Sequence, residues 1–441
     1  MAETIIALAT APLKSALALI RVSGSSSFAI TRSVFSKPEK IDGSRKMVFG
    51  EIVNGDKTLD QVMLYLYPAA HSMTGEDVVE ISCHGSMVIV TEIIDLFISL
   101  GAKYAERGEF TERAFLNGRM NLVEAEAVNE LINAKTKEGK NLALLSLKGE
   151  SSSLLVPIKK EIGDLLSLIE VNIDYPEYED IEIANESKIV DSCSKIQKDI
   201  AKLIQNGNAG RAIKEGVSVS LVGVPNVGKS SLLNALINED KAIVSSIPGT
   251  TRDLVEGSFE IKGVPFFLTD TAGLRETDNE IEKIGVQKSE KALRKSELVL
   301  LVLDAKEPVL PPNIETVTEG KEVLKVYNKS DTTPERKYQD GIYVSAVNGD
   351  VEALKEAMLK HIGVSNESFG APSLSNARQI GLLKQVSSLL DEAAKEAKLG
   401  YPIDLISVSL HRALNAVKEI LGEEVSQDIS DEIFSRFCLG K

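Results

Sequence analysis

The chain has 441 residues, of which 43% are apolar and 26% charged, and a formal net charge of −15. That length suits two or three domains, and no run approaches the ~18 apolar residues of a membrane helix, so no membrane role is expected. The acidic balance excludes a surface that grips nucleic acid throughout by neutralising phosphates, so contact with RNA needs a local basic patch or a partner supplying positive charge.

Three cysteines, Cys83, Cys193 and Cys438, are too few and too scattered for a disulfide framework or a zinc site, which implies a reducing, cytoplasmic setting. Thr4 to Ile20 is apolar-rich, but Glu3 precedes it, Lys14 interrupts it and Arg21 closes it, so it reads as strand and not as a signal peptide. Through residue 120, strand-like runs at Lys46–Val53, Gln61–Tyr67 and Asp77–Ser82 lead to a helix over Val88–Leu100 that Gly101 ends. Leu122 to Arg211 is almost wholly helical, with a break at Asp174-Tyr175-Pro176. Helical periodicity returns after Pro372, through Ala377–Leu399, Asp404–Leu421 and Val425–Phe437. The two helical blocks read as one domain, 121–213 and 371–441, into which an α/β module at 214–370 is inserted, since insertion needs only that the module's ends lie close together. Two separate helical domains are the alternative. The expected fold class is multidomain, α/β plus α, with a first α/β domain over 1–120.

The inserted module carries the chemistry. Val217 to Val222 reads as a strand, Gly223 to Ser230 matches G-x-x-x-x-G-K-[ST], and Ser231-Leu232-Leu233-Asn234-Ala235-Leu236 opens a helix. In such a phosphate-binding loop the backbone amides of residues such as Val227, Gly228 and Ser231 face anionic oxygens. Lys229 supplies a cation and Ser230 a hydroxyl for Mg²⁺. Asp270-Thr271-Ala272-Gly273 follows an apolar strand, where a carboxylate reaches the outer shell of Mg²⁺ and the glycine amide senses a terminal phosphate. Asn328-Lys329-Ser330-Asp331 ends another strand. A carboxylate at Asp331 accepts both donors of the guanine edge, which adenine cannot offer, so GTP is expected over ATP. Ser345-Ala346 offers a backbone amide to the guanine carbonyl, and Thr251, in Gly249-Thr250-Thr251-Arg252-Asp253, completes the Mg²⁺ shell. Leu274 stands where Ras-type proteins keep a water-orienting glutamine, so another group must act. Asn226 has two readings: a loop-stabilising hydrogen-bonder, or an amide that helps hold a monovalent cation beside the phosphates.

On these residues together with Ile20-Arg21-Val22-Ser23-Gly24, Thr74 to Glu80, His84-Gly85, Arg107 to Gly118 and the terminal Phe437-Cys438-Leu439-Gly440-Lys441, the chain resembles the MnmE (TrmE) family of tRNA-modification GTPases along essentially its whole length. The resemblance implies a K⁺-activated GTPase that dimerises and, in a heterotetramer with the flavoprotein MnmG, forms the carboxymethylaminomethyl group at C5 of the tRNA wobble uridine, position 34. It implies a first domain that binds the one-carbon donor, 5,10-methylene- or 5-formyl-tetrahydrofolate. Asn226, Ser245, Ile247 and Thr250 would hold K⁺, with Ser246 and Pro248 in the same nucleotide-contacting stretch. Glu282 falls where the family keeps its water-orienting carboxylate, and would act with Lys229 and Asn226; its plainer reading is a surface helix glutamate. Arg21, Glu80, Arg119 and Lys441 match the folate positions, a carboxylate suiting the pterin and cations the glutamyl tail. Residues 11–16 lack the family's Gly-rich loop, and Cys83 and Ser86 replace glycines beside His84. His84 reads as a folate-facing group or a satisfied strand-end residue, and Cys438 as a nucleophile or a small apolar side chain. A regulatory or ribosome-assembly GTPase would share every nucleotide motif, but it has no reason to carry the folate-type positions.

Overall fold

The computed structural model describes residues 3–175, 183–239, 257–270, 293, 296–311, 314, 318–333 and 335–441. The chain divides into two compact units, Met1–Asn129 with Lys418–Lys441, and Glu130–Val417.

The first unit begins with β1 (Ile5–Leu8), β2 (Leu17–Ser23), α1 (Ser27–Ser33), β3 (Lys46–Asn54), β4 (Lys57–Tyr67), β5 (Val78–His84), α2 (Met87–Ser99), β6 (Lys103–Tyr104) and α3 (Glu109–Leu116). Its sheet runs β3-β4-β5-β2-β1-β6, antiparallel except where β1 meets β6. Period-2 alternation assigns the faces: Ile20, Val22, Leu64, Val79 and Ile81 point to a core closed by Phe28 of α1 and Ile93 and Phe97 of α2. Arg21 and Glu80, in register across β2 and β5, take the opposite face, where Ile5 and Ala7 meet Phe110 of α3. The predicted helix over 88–100 is observed at Met87–Ser99, and Gly101 follows with φ +102°. β4 starts four residues before its predicted beginning at Gln61. The tight turn at Gly55-Asp56 zips the hairpin from Asn54 and Lys57, so Thr58 and Asp60 pair despite their polarity.

Next come α4 (Leu122–Asn133), α5 (Lys137–Leu147), α6 (Glu150–Ser153), α7 (Leu155–Asp174) and α8 (Glu186–Glu215). The next elements are β7 (Val217–Val222), α9 (Lys229–Glu239), β8 (Gly257–Ile261), β9 (Val264–Asp270), β10 (Leu298–Asp304), β11 (Glu322–Asn328), β12 (Ile342–Tyr343) and α10 (Glu352–His361), whose six strands form the second sheet. Its order is β12-β11-β10-β7-β9-β8, parallel except for the β8–β9 hairpin. Buried on both faces, β10 is the unbroken apolar run Leu298 to Leu303. The chain closes with α11 (Ala377–Lys398), α12 (Ile403–Leu421) and α13 (Gln427–Ser435). These three match the predicted helical segments to within two residues at each end.

The chain leaves α8 at Glu215 and returns beside the same helix: a Cβ on Gly207 would sit 2.4 Å from the Leu374 carbonyl, and one on Gly210 2.4 Å from Ser373 Oγ. The chain on either side of the second sheet therefore meets along α8. Two glycines, with no Cβ to hold the segments apart, permit that approach.

Candidate functional site

The phosphate loop is shaped by its backbone. Gly223 packs where a Cβ would lie 2.3 Å from the Val302 carbonyl, and Gly228 has φ +92° with a Cβ position 2.3 Å from Asn328 Nδ2. Asn226 adopts φ +66°, the left-handed region that asparagine tolerates better than most residues. That conformation alone accounts for an asparagine there, whatever its side chain binds. Lys229 begins α9 and turns its ammonium back on the loop, donating to the Gly223 carbonyl at 2.8 Å and the Val224 carbonyl at 3.3 Å. A cation and the amide end of an eleven-residue helix thus converge on one spot. Ser230 and Ser231 follow in the exposed first turn of that helix, where the Ser230 hydroxyl suits a Mg²⁺ ion.

Asn328, 2% exposed, joins this loop to the turn that carries Asp331. Its Nδ2 donates to the Val227 carbonyl at 2.8 Å and its Oδ1 accepts from the Ala346 amide at 3.1 Å. Ser345 Oγ donates to Asp331 Oδ1 at 2.6 Å, which turns that carboxylate toward a single orientation, and Lys329 donates to Asp304 Oδ2 at 2.9 Å. Burial opposes charge on Asp304, but bonds from the Lys329 ammonium and the Lys306 amide outweigh it and hold the carboxyl below its usual range. Lys229, Asn328, Lys329, Asp331, Ser345 and Ala346 are therefore gathered at the ends of β7, β10, β11 and β12, the carboxyl edge where parallel sheets bind ligands. Asp270 ends β9 opposite Leu221 of β7. Its side chain lies outside the described residues. So do Ser245, Ser246, Ile247, Pro248, Gly249, Thr250, Thr251, Thr271, Ala272, Gly273 and Glu282.

In the first unit, Arg21 donates from Nε and Nη2 to Glu80 Oε1 at 2.9 and 2.7 Å and from Nη1 to the Gly440 carbonyl at 3.1 Å. Its guanidinium lies 5.6 Å from the centre of the Phe110 ring. The tail reaches this face as a short strand-like segment: Leu439 bridges Arg107, the Phe110 amide donates to the Lys441 carbonyl, and Gly440 takes φ +81° against the Leu8 carbonyl. Both Arg21 donors converge on Oε1, which leaves Oε2 as an acceptor for donors such as the amino and ring N–H groups of a pterin. Arg119 donates instead to the Ala69 carbonyl. Sequence reasoning did not single out Phe110, nor the network in which Ser23 and Arg113 hold Glu76 at 2.8 and 3.0 Å, beside the Arg113–Glu109 pair. Ser23 lies in the Ile20–Gly24 motif, Glu76 in Thr74–Glu80, and Phe110, Glu109 and Arg113 in Arg107–Gly118, but only the packing of α3 against the sheet shows that they meet.

His84 is a satisfied strand-end residue: Nδ1 lies 2.7 Å from Asp60 Oδ1, and its amide donates to Asp60 Oδ2. Cys438 is exposed, while burial pushes the Cys83 thiol up to about 11. Among the described residues no group of three or more His, Cys, Asp or Glu side chains could hold a metal, and no helix is long and apolar enough to cross a membrane.

Residues 4–119 match the profile of the GTP-binding protein TrmE N-terminus and residues 122–438 that of the MnmE helical domain. The chain belongs to the MnmE (TrmE) family. It is 38% identical over 460 residues to the tRNA modification GTPase MnmE of Levilactobacillus brevis, covering 100% of this chain and 98% of that protein. Against the MnmE of Bacillus licheniformis it is 38% identical over 462 residues, covering 100% of both. The MnmE of Streptococcus pneumoniae is 39% identical over 454 residues, covering 100% of this chain and 99% of that protein. Among solved structures, the FeoB G-domain from Methanococcus jannaschii is similar at 25% identity over 34% of this chain and 98% of that one, with a TM-score of 0.27, a likeness too low to carry an argument.

Proposed function

We propose that this chain is a K⁺-activated GTP hydrolase that, with the flavoprotein MnmG, forms the carboxymethylaminomethyl group at C5 of the tRNA wobble uridine, drawing one carbon from a bound tetrahydrofolate. The observation that carries the reading is Asn328, whose side chain joins the phosphate loop to the turn bearing Asp331 in a chain that matches tRNA modification GTPases end to end. The division that goes with it is a folate-binding and dimerising domain at 1–120, a helical domain at 121–213 and 371–441, and a nucleotide domain at 214–370.

In this reading Lys229 neutralises charge on the outer phosphates, and Asp331 and the Ala346 amide select guanine. Ser230 and Thr251 would hold Mg²⁺, and Asn226, Ser245, Ile247 and Thr250 would hold K⁺, ions that would supply further positive charge beside the phosphates. Glu282 orients the attacking water, taking the place that Leu274 cannot fill. Glu80, with Oε2 still open, accepts from the pterin while Arg21 fixes its orientation, and Arg119 and Lys441 meet the glutamyl carboxylates.

The test is GTP turnover by the purified chain in K⁺ and in Na⁺, alongside calorimetry with 5-formyl-tetrahydrofolate and mass spectrometry of wobble nucleosides in cells lacking the chain. Faster turnover in K⁺, folate binding and loss of the modified nucleoside are expected. Equal rates in the two salts would remove the K⁺ role, and GTP turnover without folate binding or nucleoside change would favour an assembly GTPase.

A further inference from the structure

We propose that Asp304 is a positioning residue for nucleotide recognition, anchoring Lys329 so that the turn Asn328–Asp331 is already shaped when a base arrives. The proposal rests on the GTPase reading above. β10 and β11 pair in register to their last residues, Asp304 opposite Asn328, so a carboxylate ending one strand stands beside the first residue of the turn that leaves the other. Oδ1 of Asp304 accepts the Lys306 amide at 3.0 Å, which fixes the rotation of the carboxylate, and Oδ2 accepts the Lys329 ammonium at 2.9 Å. The next residue, Ala305, donates its amide to the Asn328 carbonyl at 2.8 Å, so the exit of β10 holds the turn by backbone as well as by side chain.

The other members of the turn have their own ties. Asn328 bonds the Val227 carbonyl and the Ala346 amide, the Ser330 amide donates to the Val344 carbonyl at 3.1 Å, and Asp331 accepts from Ser345. Lys329 is the member with most to lose. It sits at φ +63°, a costly conformation for a side chain other than glycine or asparagine, and it carries the longest stem in the turn. A charged acceptor holds that ammonium more tightly than a neutral amide would. The pair is partly exposed, 36% at Lys329 and 26% at Asp304, so its effect on global stability is small. What it supplies is local: a turn that need not be ordered on binding releases its ligand more slowly.

The full chain, loaded with the fluorescent nucleotide mant-GDP, is chased with excess GDP, and release is timed for the wild type, Asp304→Asn, Asp304→Glu, Lys329→Ala and the Asp304→Asn/Lys329→Ala double variant. Asp304→Asn should release about tenfold faster, Asp304→Glu should recover part of the loss, and melting temperatures should stay close to wild type. Because Asp304 acts through Lys329, the double variant should release no faster than Lys329→Ala alone. Release by Asp304→Asn within twofold of wild type, or additive effects in the double variant, overturns the proposal while leaving the GTPase reading intact. A wild type that binds no mant-GDP overturns both. Should Asp304→Asn melt early, Lys329→Ala removes the other end of the same bond and must itself accelerate release, or the proposal fails.

Discussion

The loop at Gly223–Ser230 and the Arg21–Glu80 face are built in opposite ways. The loop is contiguous in sequence and built from backbone: amides at a helix start, left-handed φ at Asn226 and Gly228, and one buried amide side chain, Asn328, that ties it to the turn after β11. The other face is assembled from residues 59 and 419 positions apart and works through charge: Arg21 against Glu80, and Arg21 against the Gly440 carbonyl. Backbone recognition tolerates change at most side chains but not at its glycines. Recognition by paired charges fails when either partner goes, because the survivor is left half-buried without its counter-ion.

The sharpest way to break that contrast is Lys229→Ala, the nucleotide site's main side-chain cation. Its loss should weaken mant-GTP binding by about two orders of magnitude in a fluorescence titration, since charged bonds to phosphate contribute about 1.5–3 kcal/mol each. A loss below threefold would mean that backbone amides suffice. Glu80→Gln should weaken tetrahydrofolate binding by roughly tenfold in calorimetry, with Arg21 left facing a neutral amide. Unchanged affinity would show that the pair is structural only.

Gly228→Ala tests the backbone half. With φ +92° and Asn328 Nδ2 at 2.3 Å from the new methyl, about 1–3 kcal/mol of strain should lower the melting temperature of the nucleotide-bearing unit by several degrees. An unshifted melt would refute the close packing described here. The smallest effect belongs to Glu112. Burial, then the Asp431 and Glu109 carboxylates, raise its pKa, so its neutral form favours the folded state. Its contribution is fully present at acid pH, below the usual glutamate value, and is lost as pH rises through the raised one. Glu112→Gln should therefore raise the melting temperature by about 1–2 °C at pH 7, a modest figure because the group is half-exposed, and the gain should vanish near pH 4.

The same contrast explains what could be read from sequence. The strand, loop and helix at Val217–Leu236 were legible residue by residue, because the chemistry of phosphate binding is local and its spacing is fixed by one turn of chain. The helices after Pro372 were legible from their period. The polar start of β4 was not, since pairing across the Gly55-Asp56 turn overrides composition. Nor was the Arg21–Glu80 pair derivable from spacing: resemblance to a family marked the two positions, but their contact depends on the register of β2 on β5. Asn328 fell between these cases. Its motif was evident, yet its role as a bridge depends on Val227, 101 residues away.

That bridge has an energetic corollary. A single carboxamide bonded to both the Val227 carbonyl and the Ala346 amide couples two loops that lie far apart in sequence. Pyrophosphate alone, by stiffening the Val227 carbonyl, should tighten the grip on free guanosine, and by reciprocity guanosine should tighten the grip on pyrophosphate by the same factor.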